Sequence, residues 1–241
     1  MQRRSFLSAA AATTVSAAVL LTGCSSTSAK KTAASTAGES PTQRLTTAKK
    51  VVDSTAGFHL DVTSKDVPST AGGLLTASGD GSNKPVFKGD LTVQIAGASA
   101  KVPVVAIDGK VYAQLPIAPS FTAIDPSTYG APDPNVLLSS GAGGLSSLLP
   151  MTQNAKSGPP QRNGSETVQV INGTLPSSAV RKTLGFGKES TGLSYVVQYQ
   201  IGSGNELRQV QLSGPFFAAG DKTTYVLKLT RYGEKVNVTK P

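Results

Sequence analysis

Apolar and polar residues alternate in short stretches along most of the chain that follows residue 57. Successive side chains of a β-strand point to opposite faces, so alternation places one face of each stretch against a core. Asp108-Gly109 separates two of these stretches and is a strong signal for a two-residue hairpin turn. The pattern predicts strands at residues 58–62, 91–95, 102–107, 111–115, 167–171, 195–201, 207–212, 224–229 and 236–238.

Three regions have a helical pattern instead. Between residues 42 and 54, apolar side chains recur on one face of a helix. Residues 135–151 are rich in leucine around a Gly-Ala-Gly-Gly break at 141–144, which predicts two short helical pieces. A further helix is predicted at 176–184, and residues 116–134 form a proline-rich connector.

Together these elements predict one α+β domain over residues 42–241. Neither an internal repeat nor a second linker interrupts this part of the sequence. About nine or ten strands joined by short turns fit a large antiparallel sheet with helices packed on one face.

The first 24 residues have the pattern of a bacterial lipoprotein export signal. Arg3 and Arg4 provide a positive start, and the apolar run at 6–21 is shorter than the about 20 residues that span a bilayer. In Leu21-Thr22-Gly23-Cys24, small residues precede the cysteine as in a lipobox. The pattern predicts a signal peptide over residues 1–23 and a lipid anchor on the cysteine. A plain secretory signal is the alternative, and the paired arginines fit either general or twin-arginine export.

Removal of the signal would leave a mature chain of 218 residues with a formal charge of +7, from 21 Lys and Arg minus 14 Asp and Glu. Acyl chains on Cys24 would hold this chain on the extracytoplasmic face of the cell membrane, since each buried methylene contributes about 0.8 kcal/mol. Residues 24–41 carry no large apolar side chain and predict a flexible tether. Because the protein would act outside the cytoplasm, in an anchored or a shed form, nucleic acid is not expected as a partner.

The single Cys and single His exclude several kinds of site. They cannot form an internal disulfide framework or a His/Cys zinc site. No P-loop, metalloprotease or calcium-loop motif is present, so neither a cofactor nor a metal is expected. His59 lies between Phe58 and Leu60 and is predicted on the polar face of a strand. An envelope hydrolase would need a contact between His59 and a serine, or a buried pair of acids.

The hairpin around residues 96–99 has an unusually apolar face. A turn at Gly97-Ala98 would pair Ile95 with Ala100, Val93 with Val102, and Leu91 with Val104, all on one side of the sheet. The pattern alone favours an ordinary filled core. However, the helices predicted to cover this face are short, interrupted by glycine and free of aromatic residues. Such a cover favours an apolar cavity, which suits an acyl chain because the chain needs no hydrogen bonds.

Several segments are similar to a family of actinobacterial lipoproteins. They are Val104 to Leu115 with its Asp-Gly turn, Asp133-Pro134 followed by Gly144 to Leu149, and Leu229 to Pro241. With the lipobox and the tether, these segments resemble the LprG/LprA/LprF/LppX lipoproteins, and the resemblance runs from about residue 42 to 241. The sequence departs from the family at Tyr232, where Trp is usual, and in the connector at 116–134.

The resemblance implies a half-barrel sheet wrapped against helices, similar to carriers of the LolA/LolB type. It implies a hydrophobic cavity for the acyl chains of glycolipids, triacylglycerol or waxy dimycocerosates, and transfer of these lipids across the envelope, sometimes with a major-facilitator-type transporter. By position, Leu91 matches a cavity-facing residue of the family. The resulting candidate cavity residues are Leu91, Val93, Ile95, Val102 and Val104 from the hairpin, and Leu137, Leu145 and Leu148 from the helical region.

Two further functions stay open at this point. The protein could be an interaction module with a filled core that docks a membrane sensor or a cell-wall assembly. The hydrolase is the other, and it depends on the surroundings of His59. The carrier hypothesis predicts lipid that is bound to the purified protein, the interaction module predicts none, and His59→Ala would test the Ser–His form of the hydrolase.

Overall fold

Twelve strands form one open antiparallel sheet in the part of the chain that the computed structural model describes, which is residues 38–95, 97–116, 118–185, 187 and 193–241. The strands are β1 (Phe58–Lys65), β2 (Gly73–Ser82), β3 (Val86–Ile95), β4 (Ala98–Ile107), β5 (Lys110–Ala113), β6 (Thr122–Ile124), β7 (Gln153–Ser157), β8 (Gln161–Asn163), β9 (Glu166–Pro176), β10 (Ser194–Ile201), β11 (Leu207–Gly214) and β12 (Thr223–Thr230). The helices are α1 (Pro41–Ser54), α2 (Pro134–Leu137) and α3 (Ser177–Leu184), with 3-10 helices at Pro126–Tyr129, Leu145–Leu148 and Ser203–Asn205. The predicted α+β class and antiparallel sheet are confirmed.

The first and the last strand join the two halves of the sheet at its centre. The order across the sheet is β6-β5-β4-β3-β2-β1-β12-β11-β10-β9-β7, and β8 pairs with β9. β1 and β12 pair from His59 opposite Thr230 to Lys65 opposite Thr224. On either side of this join, nearly all neighbouring strands are also consecutive in the chain, so each half is a meander.

Helix α1 lies where the apolar spacing predicts a helix, and it begins at Pro41 behind an N-cap that the sequence analysis did not identify. Ser40 accepts a hydrogen bond from the Gln43 backbone N–H, and the Gln43 side chain accepts one from the Ser40 N–H, which makes a capping box. Leu45, Ala48 and Val52 form its buried face. This face packs against β11 and β7 and reaches the 3-10 helix at Leu145–Leu148.

The β3–β4 hairpin has a different register from the predicted one. Ile95 pairs with Ala98, and Leu91 pairs with Val102 rather than with Val104. The hairpin therefore turns one residue earlier than predicted, which shifts every pair by two residues. Because side chains alternate with a period of two, this shift leaves the same apolar residues on the same face.

The structure differs from the predicted strands in two further ways. Residues 236–238 are not a strand, because the chain leaves the sheet at a turn where Arg231 and Gly233 have φ angles of 52° and 86°. The residues after this turn pack against the backbone at Gly57, where a Cβ would lie 2.6 Å from Val236. Conversely, four observed strands, β2, β6, β7 and β8, were not predicted from the sequence pattern.

Glu166 is held in a polar cluster at one end of the sheet. Burial by itself would raise the pKa of Glu166. Hydrogen bonds from Arg208 Nε at 2.8 Å and from the Ser203 backbone N–H at 2.6 Å outweigh burial and hold this pKa below its ordinary value. The carboxylate thereby links the start of β9 to the β10–β11 turn and to β11.

We expect Glu166→Gln to reduce the pH dependence of folding stability. A carboxyl group whose pKa is lowered on folding stabilises the protein above its unfolded pKa, and this contribution disappears as the pH falls through the folded pKa. The wild type should therefore be more stable than the variant at about pH 6, and the difference should shrink at about pH 3. Urea unfolding midpoints at both pH values measure this. Glu234→Gln, which changes an exposed carboxylate, is the control, and an equal difference at both pH values would contradict the assignment.

The predicted signal peptide, Cys24 and the tether up to residue 37 lie outside the described residues. Within the described part, no helix has both the length and the apolar character that a membrane span requires.

Candidate functional site

An apolar cavity lies between the sheet and the short helices that cover it. Five neighbouring strands, β3, β2, β1, β12 and β11, form one wall, and the residues of this wall are Leu60, Val62, Leu74, Ala77, Phe87, Leu91, Val210, Leu212, Tyr225 and Leu227. The other wall consists of Pro132, Pro134, Leu137, Leu138, Leu145, Leu148 and Leu184. We call this space the main cavity.

The main cavity is small in this state of the protein. Its free volume, which is the space that the centre of a water-sized sphere can occupy, is about 50 Å³. Because one water needs about 10–15 Å³ on this measure, only a few water-sized spheres fit. A long acyl chain would therefore need one wall to move outward.

Glycine residues of β2 and β3 lie directly behind Phe87 and Leu138, two residues that line the main cavity. Gly79 and Gly89 face each other across the two strands, and the ring of Phe87 lies over them. A Cβ on Gly89 would lie 2.3 Å from the Ser78 carbonyl oxygen, and a Cβ on Gly81 would lie 2.5 Å from Leu138. The missing side chains thus let Phe87 and the cover approach the backbone of the sheet.

A second apolar cavity lies beside the main one, under the β3–β4 hairpin. Its free space is about 40 Å³, and its other wall comes from the segment between β5 and α2, including Leu115, Ile124 and Tyr129. We call it the side cavity. Leu91 lines both cavities and therefore lies at the boundary between them.

The structure divides the eight predicted cavity residues between these two spaces. Leu91, Leu137, Leu145 and Leu148 line the main cavity, and Leu91, Val93, Ile95, Val102 and Val104 line the side cavity. Seven of the eight are buried, whereas Ile95 is 43% exposed. The sequence did not indicate that β1, β2, β11 and β12 supply most of the sheet wall of the main cavity, although alternating apolar residues in β1, β11 and β12 were an available signal.

The linings of both cavities are electrically neutral. No charged side chain is found among the described residues that line either one. Burial raises the pKa of Tyr225, so its hydroxyl stays protonated at physiological pH. The ring of Tyr225 packs edge-on against Phe216 at 4.9 Å between centroids. Such walls can accept an apolar group but offer little to a charged one.

The only histidine lies on the opposite, outer face of the sheet. His59 Nδ1 is 2.6 Å from Asp80 Oδ1, and His59 Nε2 is 3.2 Å from Ser78 Oγ. Arg231 also contacts His59 and Asp80. The structure therefore brings together a Ser–His contact of the kind that the hydrolase hypothesis requires.

The arrangement around His59 is nevertheless poorly suited to nucleophilic catalysis. The Ser78 hydroxyl donates to Asp61 Oδ1 at 2.7 Å instead of to His59. Ser78 also lies within β2, which is paired on both sides by β1 and β3, so the described backbone N–H groups around it are engaged in the sheet. An oxyanion would find no free backbone donors there.

Tyr232, where the sequence departs from the family, lies away from both cavity linings. Its hydroxyl donates to the Leu207 carbonyl oxygen at 2.7 Å, and its ring is 6.1 Å from that of Phe58. The Arg208 guanidinium lies 5.8 Å above the Tyr232 ring. Tyr232 therefore closes the core beside β1 and β11.

The fold and the cavity define a structural class: an open antiparallel half-barrel that encloses an apolar cavity under short helices. The chain belongs to the LppX_LprAFG lipoprotein family, whose model matches residues 40–238. This match confirms the resemblance seen in the sequence. A comparison with curated proteins gives no significant match.

Solved structures of mycobacterial lipoproteins have the same fold. LprF from Mycobacterium bovis is 16% identical, covers 83% of this chain and 96% of its own, and has a TM-score of 0.67. LppX from Mycobacterium tuberculosis is 15% identical, covers 83% of this chain and 98% of its own, and has a TM-score of 0.59. A LolA-superfamily protein from Nitrosomonas europaea is 9% identical, covers 81% of this chain and 93% of its own, and has a TM-score of 0.29, which is too low to support an argument.

Proposed function

We propose that this protein binds acylated lipids or glycolipids in the main cavity and transfers them through the cell envelope. The observation that supports this most strongly is a cavity with no charged side chain in its described lining, held between five strands and a cover of short helices. An acyl chain leaves no unsatisfied hydrogen-bonding group in such surroundings, and its transfer out of water is favourable.

The proposed site of action is the extracytoplasmic face of the cell membrane. In this proposal, signal peptidase removes residues 1–23 and a lipid on Cys24 holds the mature chain. The tether leads directly into α1, which begins at Pro41. Fully extended, a tether of this length would reach about 55–60 Å from the membrane, since each residue spans about 3.3–3.6 Å. A major-facilitator-type transporter is the partner we propose for lipid delivery.

The small free volume of the main cavity favours a second function. If the cavity never opens, the interior is a filled core, and the lipoprotein acts instead as an interaction module for a membrane sensor or a cell-wall assembly. The two functions differ in one measurable property, which is the presence of bound lipid.

Native mass spectrometry tests the proposal directly. The chain starting at Ser25, without the anchor, is expressed in a lipid-rich related host and purified under mild conditions. We expect a mass excess that solvent extraction removes and that corresponds to a lipid with two or three acyl chains. A single unliganded mass, with no uptake from added lipid vesicles, would contradict lipid binding and support the interaction module.

A further inference from the structure

The two walls of the main cavity differ in how they are held. The sheet wall is built from five strands that are hydrogen-bonded to neighbours on both sides. The opposite wall consists mostly of residues 131–149, which we call the cover segment. All backbone-to-backbone hydrogen bonds of the described cover segment join residues at most five apart, so no ladder connects it to the sheet. Outward movement of the cover segment would therefore break fewer backbone hydrogen bonds than movement of the sheet wall.

Side chains of α1 hold the outer side of the cover segment. The Ser146 hydroxyl donates to Asp53 Oδ1 at 2.6 Å, and Lys49 Nζ donates to the Ser140 carbonyl oxygen at 3.4 Å. Leu145 and Leu148, which flank Ser146 in the same 3-10 helix, line the main cavity. One short helix therefore presents leucines to the cavity and a serine to α1.

Asp53 is itself held in place on α1. Lys49, one turn earlier, pairs with its carboxylate, and the Asn83 side chain contacts its backbone carbonyl oxygen from the β2–β3 turn. The Asp53 side chain is 24% exposed, whereas Ser146 is 2% exposed. A hydrogen bond to an ionised acceptor in such partly buried surroundings is stronger than one between neutral groups.

The 3-10 helix at Leu145–Leu148 has a possible hinge before its N-terminal end and is anchored to the sheet at its C-terminal end. On the leading side, Gly143 has a φ angle of 115°, and a Cβ on Gly144 would lie 1.8 Å from the Ser139 carbonyl oxygen. Glycine at both positions permits a tight bend that other residues could not form. On the trailing side, the hydroxyl of Tyr199 on β10 lies 2.9 Å from Thr152 Oγ1 and donates to the Leu148 carbonyl oxygen at 3.4 Å, which fixes this end to the sheet.

We propose that the Asp53–Ser146 hydrogen bond is a latch that keeps the cover segment closed over the main cavity, and that its release admits lipid. Asp53 and Ser146 are positioning residues, because neither lines the cavity. This inference rests on the proposed function, since the latch controls entry to the same cavity. It adds that α1, the helix that follows the tether, controls the rate of exchange.

Lipid exchange kinetics of Ser146→Ala test the latch. The described core consists of residues from Leu45 to Leu229, so the chain starting at Ser25 retains all of it. The probe is pyrene-labelled phosphatidylglycerol presented in phosphatidylcholine vesicles. We expect Ser146→Ala to raise both the uptake rate and the release rate about tenfold, as loss of a hydrogen bond to a charged group allows, while equilibrium binding changes less than about twofold. Ser54→Ala is the matched control, because among the described residues its hydroxyl donates only to the Val51 carbonyl oxygen within α1.

Hydrogen exchange of the empty protein provides a second readout that needs no lipid. In Ser146→Ala, the amides of Leu145 to Leu149 should exchange about tenfold faster, and those of β12 should stay unchanged. The latch would be overturned if Ser146→Ala and Ser54→Ala had equal rates of lipid uptake and release and equal rates of amide hydrogen exchange. If the wild type takes up no lipid but amide hydrogen exchange is faster in Ser146→Ala, the proposed function is refuted. The Asp53–Ser146 hydrogen bond would then hold the cover segment without controlling lipid entry.

Discussion

Leu91→Trp should leave the protein folded and abolish the lipid binding that we propose for the main cavity. Leu91 lies between the main and the side cavity, which together offer only small free volumes, so an indole there would occupy both. Overpacking of a core commonly costs about 1–3 kcal/mol, which a domain of this size can tolerate. Native mass spectra of the variant should show the unliganded mass, and thermal unfolding should remain cooperative.

Val196→Trp is the control for the added indole. Val196 is 62% exposed on β10 and contributes to neither cavity lining. This variant should carry as much lipid as the wild type. If Leu91→Trp also carries the full lipid load, the main and side cavities are not the binding site.

Gly89→Ala should cause a large loss of stability, although it adds only one methyl group. Its Cβ would lie 2.3 Å from the Ser78 carbonyl oxygen and 2.6 Å from the Gly79 Cα, and both atoms belong to the backbone of a doubly paired strand. Since backbone in the middle of a sheet cannot rotate away, we expect a loss of about 3 kcal/mol. That corresponds to a fall in Tm of about 6–12 °C for a domain of this size.

Gly72→Ala is the matched control for this substitution. Its Cβ would approach the Gln94 carbonyl oxygen at 3.6 Å, an ordinary van der Waals distance. Differential scanning calorimetry should therefore give nearly the wild-type Tm for Gly72→Ala. A similar Tm for Gly89→Ala would show that β2 and β3 separate to accommodate the methyl group, and that the close contact of the two strands is not required.

Strand alternation predicted the sheet wherever core-facing positions carry large apolar residues. The Asp108-Gly109 turn is an example, because Ile107 pairs with Lys110 as the signal predicts. β2 was missed because Gly79 and Gly81 occupy core-facing positions, so its apolar alternation disappears. The false strand at 236–238 has the opposite cause, since three alternating residues are too few to distinguish strand from extended chain.

The candidate site was predictable only in part. The apolar face of the β3–β4 hairpin survived an error in register because the error was an even number of residues. The division into two cavities depends on how the connector between β5 and α2 folds back, which no local pattern encodes. Contacts such as that between Asp53 and Ser146, which are 93 positions apart, also require the complete fold.

The pairing of β1 with β12 determines when the cavity can form. His59 pairs with Thr230, a residue 171 positions later in the chain. Leu60 and Val62 of β1 lie beside Tyr225 and Leu227 of β12 in the floor of the main cavity. Contacts so distant in sequence form late and slow the folding of a domain. Each meander can form by local hairpins, but the main cavity is completed only after β12, the last strand along the described chain, has paired with β1.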